Sequence, residues 1–424
     1  KMGDHIAIMK DGEVSQVGTP EEIVANPKDQ YVKDFCEDVP KYKVLSASKV
    51  MREECCEDTK KMFENGSNNI DHNSKIETLI DKLVDTDQKF PVVNSETGEL
   101  VGEIDRAIVM KSTKHLLHPD LQVMADEVII TEINHESLEG VRQTLDSLKP
   151  PLEDAESYKV IRKEIFIPQD NAPDVRCLLY IPDDRKELPG PGYLHIHGGG
   201  YVIGSPEGSD TQNLLLASEI GIVIISVDYR LAPEYPIPAP LDDCYIALGW
   251  LHENSEELGI DRSRIGIGGE SAGGGLAAAL AIKARDEGEY KVCWQSLTYP
   301  MLDDRTGTDE NPGDPLVGEF VWTRAFNQYA WNCYLADAPR EAPQSPGRLE
   351  NFEGLPPAWM FTASLDLFRD ENIDYAQKLM RAGVACDLVV YPGACHAFQR
   401  IETSELAKRY REDFIASLKR GLGG

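Results

Sequence analysis

The stretch that decides the fold runs Arg264-Ile-Gly-Ile-Gly-Gly-Glu-Ser-Ala-Gly-Gly-Gly-Leu-Ala-Ala-Ala-Leu280. It passes from an apolar strand, through the turn Gly269–Gly273, into an alanine-rich helix. This is the G-x-S-x-G pattern in the context of strand, sharp turn and helix that it requires. Glycines two positions either side of Ser271 let strand and helix approach closely and leave the hydroxyl exposed. The flanking elements disfavour the alternative, a glycine-rich turn with an incidental serine, so Ser271 is the candidate nucleophile.

A second glycine cluster, His197-Gly-Gly-Gly-Tyr201, directly follows an apolar stretch. Three glycines let the backbone turn its N–H groups inward without Cβ clashes. We expect Gly199 and Gly200, together with Ala272 at the start of the helix, to donate to a developing oxyanion. A merely flexible glycine loop is the alternative. The residues expected to support the two motifs are His197, Gly198, Gly269, Glu270 and Gly273.

One histidine, His396, occurs after Ser271, and it lies in a loop behind an apolar strand. A serine, an acid and a histidine in this chain order predict that His396 is the base and Asp366 its acidic partner. Asp366 would hold the imidazole tautomer and stabilise the imidazolium. Asp370 and Glu371 are rivals, but they fall at the start of a predicted helix and fit its N-terminal cap. A helix cap at Asp366 and an ordinary loop histidine at His396 are the remaining alternatives.

Two compositional regimes meet near residue 118. After it, β-branched stretches alternate with alanine-rich or amphipathic ones, which predicts an α/β fold, a mostly parallel sheet with helices on both faces. The predicted strands are Val160–Ile167, Val175–Ile181, Tyr193–Ile196, Ile222–Val227, Ile265–Gly268, Trp294–Tyr299, Ala358–Thr362 and Leu388–Tyr391. The predicted helices are Leu241–Glu253, Ala272–Asp286, Trp322–Leu335, Asn372–Ala382 and Glu402–Leu418.

These motifs, together with Tyr229-Arg-Leu-Ala-Pro-Glu234 and Asp366-Leu-Phe-Arg-Asp-Glu371, resemble those of the hormone-sensitive-lipase-like esterases of bacteria and archaea. The serine motif resembles their GESAG subgroup. The resemblance implies an α/β-hydrolase fold with a helical cap, and hydrolysis of short- to medium-chain carboxylic esters through an acyl-enzyme. It implies no metal or organic cofactor. The hydrolase domain would span 118–424, with a cap from about 118–158 and 304–335.

The chain departs from this family in two places near the candidate acid and base. Leu367 stands where the family often has proline after the acid, and we expect little consequence. Cys395 directly precedes His396, which suggests that activity could be sensitive to thiol reagents. The predicted cap insert also carries aromatic residues that belong more often to a core than to a binding wall, although part of the group could line an acyl pocket. They are Phe320, Trp322, Phe326, Tyr329 and Trp331.

Residues 1–117 are polar and are expected to form a small α+β domain. The string Asp4–Ile23 resembles the end of the ATP-binding subunit of osmolyte-type ABC transporters, and Phe90–Ile104 resembles a cystathionine-β-synthase-type repeat. The chain contains no G-x-x-x-x-G-K-[ST] string, so ATP hydrolysis is not expected. We expect a folded appendage that shields or dimerises the hydrolase; an adenosine-type ligand is the other possibility.

A net charge of −30 disfavours binding to nucleic acid and to anionic membranes. No apolar run is long enough for a membrane span. Nine cysteines without paired CxxC units fit free thiols rather than a zinc site. Lys1–Lys10 lacks the apolar segment of a secretory signal, so we expect a cytoplasmic protein. The expected partner is a small-molecule ester, and a homodimer is a possible assembly. The competing hypothesis is a regulatory or interaction protein on a hydrolase scaffold without catalysis.

Overall fold

The computed structural model of the chain describes residues 5–36, 39, 41–66, 68–83, 88–105, 108–109, 114–125, 133–149, 151–183, 185, 188–314 and 316–423. Its contacts divide the chain into two compact units, Lys1–Glu127 and Val128–Gly424. The boundary near residue 118 that the composition suggests stays a prediction.

The first unit combines two small sheets with short helices. Its strands are β1 (Ile6–Lys10), β2 (Glu13–Gly18), β3 (Ile70–Asp71), β4 (Phe90–Val93) and β5 (Leu100–Ile104). β1 and β2 form an antiparallel pair, and the other three form a sheet in the order β3-β4-β5. The helices are Pro20–Ala25, Gln30–Phe35, Lys41–Val44, Ala47–Val50, Glu57–Glu64 and Ile76–Leu83, with 3-10 turns at Lys114–Leu116 and Pro119–Ala125. This unit has the expected α+β character.

The second unit is built on one eight-stranded sheet. Its strands are β6 (Val160–Ile167), β7 (Val175–Pro182), β8 (Gly190–Ile196), β9 (Val223–Val227), β10 (Ile260–Glu270), β11 (Trp294–Thr298), β12 (Ala358–Ala363) and β13 (Cys386–Tyr391). Their order is β13-β12-β11-β10-β8-β9-β7-β6. β6 and β7 run antiparallel, as do β7 and β9, while the other neighbours are parallel. The predicted α/β-hydrolase fold is confirmed.

Helices cover this sheet and bury its central strands. They are Leu138–Leu148, Asp210–Ile220, Ala239–Glu253, Ala272–Glu287, Arg324–Leu335, Arg369–Arg381 and Glu405–Gly421, with 3-10 turns at Ala155–Tyr158, Pro206–Ser209, Pro346–Arg348 and Phe398–Arg400. Every residue of β8, β9, β11 and β12 is buried. Nearly continuous apolar runs of this kind are typical of parallel strands that are covered on both faces.

The topology gathers the candidate residues at one edge of the sheet. β8 ends at Ile196, immediately before His197, and β10 ends at Glu270, immediately before Ser271. Asp366 follows the end of β12 by a few residues, and His396 follows the end of β13. Because these strands are parallel, their carboxyl ends meet at the same edge, where open α/β sheets bind ligands. Among the described residues, no helix is both long and apolar enough to cross a bilayer.

Candidate active site

The turn around Ser271 can be made only with glycine on both sides. Ser271 has φ 57° and ψ −120°, a conformation that non-glycine residues adopt rarely and at a cost. A Cβ placed on Gly269 or on Gly273 would come closer than 3.0 Å to the carbonyl oxygen of Ile196, a separation that real Cβ atoms essentially never show. The backbone N–H of Ser271 donates to the carbonyl of Thr298 at 2.9 Å, which holds the strained residue in place.

The structure brings the three predicted reactive residues together. Oγ of Ser271 lies 3.0 Å from Nε2 of His396, and Nδ1 of His396 lies 2.7 Å from Oδ2 of Asp366. Ser271 and His396 are each 5% exposed, and Asp366 is fully buried. The other carboxylate oxygen of Asp366 accepts from the N–H of Phe368 at 2.9 Å. Both oxygens of Asp366 are therefore engaged, and its orientation toward the imidazole is defined.

The two rival acids have other partners. Asp370 receives a hydrogen bond from Arg369 at 2.8 Å, in the first turn of the helix Arg369–Arg381. Oε1 of Glu371 accepts from the backbone N–H of Leu302 at 2.7 Å. Burial raises the pKa of Glu371 well above its ordinary value, which disfavours the charged carboxylate that a partner of His396 must supply. Neither residue takes the position beside His396 that Asp366 occupies.

The glycine loop after β8 lies directly against the serine turn. A Cβ on Gly198 would be 3.4 Å from Cβ of Ser271. Gly199 and Gly200 both have positive φ, 122° and 59°, which turns the backbone sharply at this point. In the part of the chain that the structure describes, the backbone N–H groups of Gly199, Gly200 and Ala272 have no hydrogen-bond acceptor. The three predicted donors are thus available for an oxygen of a bound molecule.

His197 has a structural place in this loop. Its ring stacks on Tyr229 with centroids 4.2 Å apart, and its Nδ1 lies 2.8 Å from the carbonyl oxygen of Gly198. Burial lowers the pKa of His197 to about 4, so the ring is neutral at ordinary pH. The hydroxyl of Tyr229 also donates to the carbonyl of His197 at 3.1 Å. His197 therefore has a structural role in the loop. The hydroxyl of Ser271 is paired with His396 instead.

A buried polar network behind Ser271 was not anticipated from the sequence. Nε2 of His195 lies 3.1 Å from Oε2 of Glu270, and the amide of Gln212 donates to Oε1 at 2.9 Å. On its other side, Nδ1 of His195 lies 2.9 Å from Oγ of Ser226. Burial by itself would raise the pKa of Glu270, but the attraction of His195 and these hydrogen bonds outweigh it, so the pKa is lowered. The one local signal was a pair of polar residues, His195 and Ser226, inside apolar strands.

Aromatic rings surround the imidazole of His396. The ring centroids of Tyr299, Phe368 and Trp322 lie 4.5, 5.4 and 6.3 Å from that of His396. Trp322 also fills the space beside Gly200, because a Cβ there would come closer than 3.0 Å to the indole. The other aromatic residues expected in the cap insert are core residues, apart from the half-buried Tyr329; the buried ones are Phe320, Phe326 and Trp331. Trp322 is the member of this group that contacts the site.

The two departures from the family pattern are both buried. Leu367 packs in the core, where a Cβ on Gly318 would lie 2.9 Å from its side chain. Burial raises the pKa of the Cys395 thiol to about 12, so it stays protonated at ordinary pH. A thiol that is both buried and protonated reacts slowly. The expected thiol sensitivity therefore finds no support in the surroundings of Cys395.

Comparison with known proteins agrees with this geometry. The profile of a family described as alpha/beta hydrolase fold matches residues 193–400. Esterase LipI of Mycobacterium tuberculosis is 33% identical over 279 residues, which covers 65% of this chain and 85% of LipI. Ethyl acetate hydrolase of Pseudomonas putida is 36% identical over 227 residues, covering 52% of this chain and 70% of that enzyme.

A solved structure titled bacterial heroin esterase superposes with a TM-score of 0.66 at 37% identity, covering 72% of this chain and 98% of that one. These relatives are named as enzymes, so the hypothesis of a scaffold without catalysis is set aside. The chain belongs to the hormone-sensitive-lipase-like esterases of the α/β-hydrolase fold, and it is a carboxylic ester hydrolase.

Proposed function

We propose that this esterase works by covalent catalysis with Ser271 as nucleophile, His396 as general base and acid, and Asp366 as the partner of His396. The observation that carries the proposal is the continuous line of hydrogen bonds from Oγ of Ser271, through the imidazole, to the buried carboxylate. With its Nδ1–H donated to Asp366, the imidazole presents an unprotonated Nε2 to the serine hydroxyl.

The reaction then has two halves. Oγ of Ser271 bonds to the ester carbonyl carbon while its proton passes to Nε2 of His396. The tetrahedral intermediate collapses with cleavage of the carbon–alkoxide bond, and the same proton leaves with the alcohol. Water next attacks the acyl-serine and gives a proton to His396. Cleavage of the acyl–Oγ bond releases the carboxylic acid and returns the proton to Ser271.

We assign the stabilisation of both tetrahedral intermediates to the N–H groups of Gly199, Gly200 and Ala272. Two observations support this assignment: these N–H groups have no other acceptor among the described residues, and Gly198 lies against Ser271. Ala272 is also the first residue of the helix Ala272–Glu287, so the positive end of the helix dipole adds to the effect. A single donor of this kind is typically worth about 10²–10³ in rate.

The substrates that fit this site best are esters of short to medium acyl chains. The rings of Trp322, Phe368 and Tyr299 lie around the imidazole of His396, and we assign them to the wall beside the reacting carbon. The relative named ethyl acetate hydrolase acts on an ester with a two-carbon acyl group, as its name states. We also propose that the cap comprises about 118–158 and 304–335.

The test is hydrolysis of p-nitrophenyl esters from acetate to palmitate by the full-length protein. We expect kcat/KM to peak at short or medium acyl chains and to fall steeply for palmitate. The matched control is Ser271→Ala, which should retain only the residual rate due to binding and the oxyanion donors. A rate that rises continuously to palmitate would contradict the acyl-chain assignment. A Ser271→Ala protein with wild-type turnover would contradict the nucleophile assignment.

We further propose that the N-terminal unit is a non-catalytic appendage. The likeness of Asp4–Ile23 to a transporter tail and of Phe90–Ile104 to a cystathionine-β-synthase-type repeat supports an origin outside the hydrolase. All the residues assigned to catalysis lie between Gly199 and His396, in the second compact unit. We therefore assign catalysis to the second unit and a shielding or dimerising role to the first.

A further inference from the structure

The helix Leu138–Leu148 packs on the hydrolase core through one face. Leu138 is buried in the main hydrophobic cluster, and Val141 and Leu145 pack against the same cluster. These positions recur at the three- and four-residue spacing of a helix face. Arg142 follows Leu138 by four residues, so its side chain leaves the helix on this inward face. The guanidinium of Arg142 is consequently directed at the body of the hydrolase.

Arg142 makes four hydrogen bonds to two separate segments of the hydrolase. Its Nε donates to the carbonyl of Val202, and its Nη2 donates to the carbonyl of Ala232, both at 2.9 Å. Its Nη1 and Nη2 also bind the two carboxylate oxygens of Glu234 at 2.7 and 2.9 Å. The bond to Arg142 holds the pKa of Glu234 below its ordinary value, so the pair is ionised. A planar fork of this kind fixes its position in space as well as its charge.

Of the two carbonyls that Arg142 binds, that of Val202 belongs to the turn that carries the proposed oxyanion donors, and that of Ala232 belongs to a second segment that is hydrogen-bonded to this turn. The N–H of Val202 donates to the carbonyl of Gly199 at 3.1 Å, and the N–H of Ala232 donates to the carbonyl of Tyr201 at 3.0 Å. Gly199, Gly200 and Tyr201 form a run of three residues with positive φ. Such a run is unfavourable for tyrosine and persists only when its surroundings hold it. Arg142 binds the carbonyls of Val202 and Ala232, the two residues whose N–H groups donate to this run.

We propose that Arg142 is a positioning residue for ester hydrolysis: by tying Val202 and Ala232 together, it keeps the turn in the geometry that directs the donors at the reacting oxygen. The inference rests on the proposed function, because it takes Gly199 and Gly200 as oxyanion donors. Arg142 touches no substrate in this role and acts through the backbone that it holds. Lysine can replace it only in part, since one ammonium group cannot bind two carbonyls and also pair with both oxygens of a carboxylate.

The test compares Arg142→Met and Arg142→Lys with Gln143→Met, whose side chain lies on the exposed face of the same helix and bonds to Glu139. The proteins are full length, and each is checked by circular dichroism. The readouts are kcat and KM for p-nitrophenyl butyrate, and the inhibition constant of a trifluoromethyl ketone that forms a tetrahedral adduct with the serine. Misplaced donors weaken the transition state and the adduct more than the ground state.

For Arg142→Met we expect kcat to fall by about ten- to a hundredfold, less than the outright loss of a donor, with KM changed by less than about threefold. Inhibitor affinity should fall by the same factor as kcat/KM. Arg142→Lys should lie between Arg142→Met and wild type, and Gln143→Met should equal wild type. A folded Arg142→Met protein with wild-type kcat overturns the proposal, as does a rise in KM alone.

If Arg142→Met does not fold, the milder Arg142→Lys and Glu234→Gln decide the matter. Glu234→Gln leaves both carbonyl bonds of Arg142 possible but removes the charge that anchors it, so a smaller fall in kcat is expected. Wild-type kcat in both folded variants overturns the proposal. The result for Ser271→Ala is independent of these: loss of activity there with full activity in the Arg142 variants rejects the positioning role alone.

Discussion

The backbone at Gly273 passes so close to the carbonyl oxygen of Ile196 that no side chain fits between them. A Cβ on Gly273 would meet that oxygen, and also the carbonyl of His197, at separations that real Cβ atoms essentially never show. Ile196 ends β8 and Gly273 is in the first turn after Ser271, so the contact fixes where the helix can start beside the neighbouring strand. The close approach of the two backbones thus explains why position 273 is glycine, independently of the strained conformation of Ser271.

Gly273→Ala should therefore destabilise the protein and reduce its activity. The added methyl has backbone on two sides and cannot be accommodated by rotating a side chain, so we expect a loss of about 3 kcal/mol or more of unfolding free energy. The control is Gly140→Ala, where a Cβ meets nothing within 4 Å. At this exposed position of the helix the change should stabilise the protein by about 0.5–1 kcal/mol. Urea unfolding measures both, and equal stabilities of the two variants would contradict the argument.

Glu371→Gln should make the protein more stable at alkaline pH. Burial raises the pKa of Glu371 in the folded state, whereas the unfolded carboxyl ionises near its ordinary value of 4.5. The stability associated with the neutral carboxyl is therefore complete below about 4.5 and is lost as pH rises through the raised pKa. Glutamine keeps the acceptor for the N–H of Leu302 without ionising.

The free energy of unfolding of Glu371→Gln, relative to wild type, should increase as the pH rises above about 4.5 and should level off above the raised pKa. The slope can reach about 1.4 kcal/mol per pH unit, the free-energy equivalent of one pKa unit. Denaturant titrations at several pH values measure it. A difference between the two proteins that does not change with pH would show that the carboxyl of Glu371 titrates alike in both states.

Iodoacetamide should leave the esterase activity intact at pH 7.5. Alkylation needs an accessible thiolate, and Cys395 is buried with its pKa raised to about 12. Other cysteines are partly exposed and can react without touching the site; these include Cys55, Cys293 and Cys333. Peptide mapping alongside the activity assay separates the cases. Inactivation in step with modification of Cys395 would mean that the His396 loop opens in solution.

A protein shortened to begin near His115, which keeps the whole of the proposed cap, should hydrolyse p-nitrophenyl acetate with a kcat within a few-fold of the full-length value. All the residues assigned to catalysis, and Arg142, lie in the second compact unit. Circular dichroism and turnover of the two proteins decide the question. A shortened protein that folds but has no activity would mean that the first unit completes the site.

The strands and the reactive residues were predictable because their signals are local. The predicted strand Val160–Ile167 coincides with β6, and the glycine motifs mark Ser271 and His197–Tyr201 without reference to the rest of the chain. The order of the sheet was not predictable, since periodicity identifies a strand but not its neighbours. β10 lies beside β8, for example, although β9 comes between them in sequence.

Long-range polar contacts could not be predicted from the sequence for the same reason. The partners of Arg142 are 60, 90 and 92 positions away, so nothing near residue 142 indicates them. The chain order of serine, acid and histidine excluded His195 as the base, but it could not reveal the bond to Glu270, 75 positions further along. Buried polar side chains in apolar strands are the local hint that such a partner must exist, because an unpaired polar group is costly to bury.

The most direct test of the account is to identify the residue that becomes covalently modified during catalysis. The full-length enzyme is treated with a p-nitrophenyl alkylphosphonate, digested, and mapped by mass spectrometry, with Ser271→Ala treated in parallel. Loss of activity should follow the incorporation of one phosphonyl group, on Ser271, because its hydroxyl is paired with His396 at 3.0 Å. The Ser271→Ala protein should remain unlabelled. A label on any other residue that tracks the loss of activity, or full inactivation without a label on Ser271, would contradict the central claim.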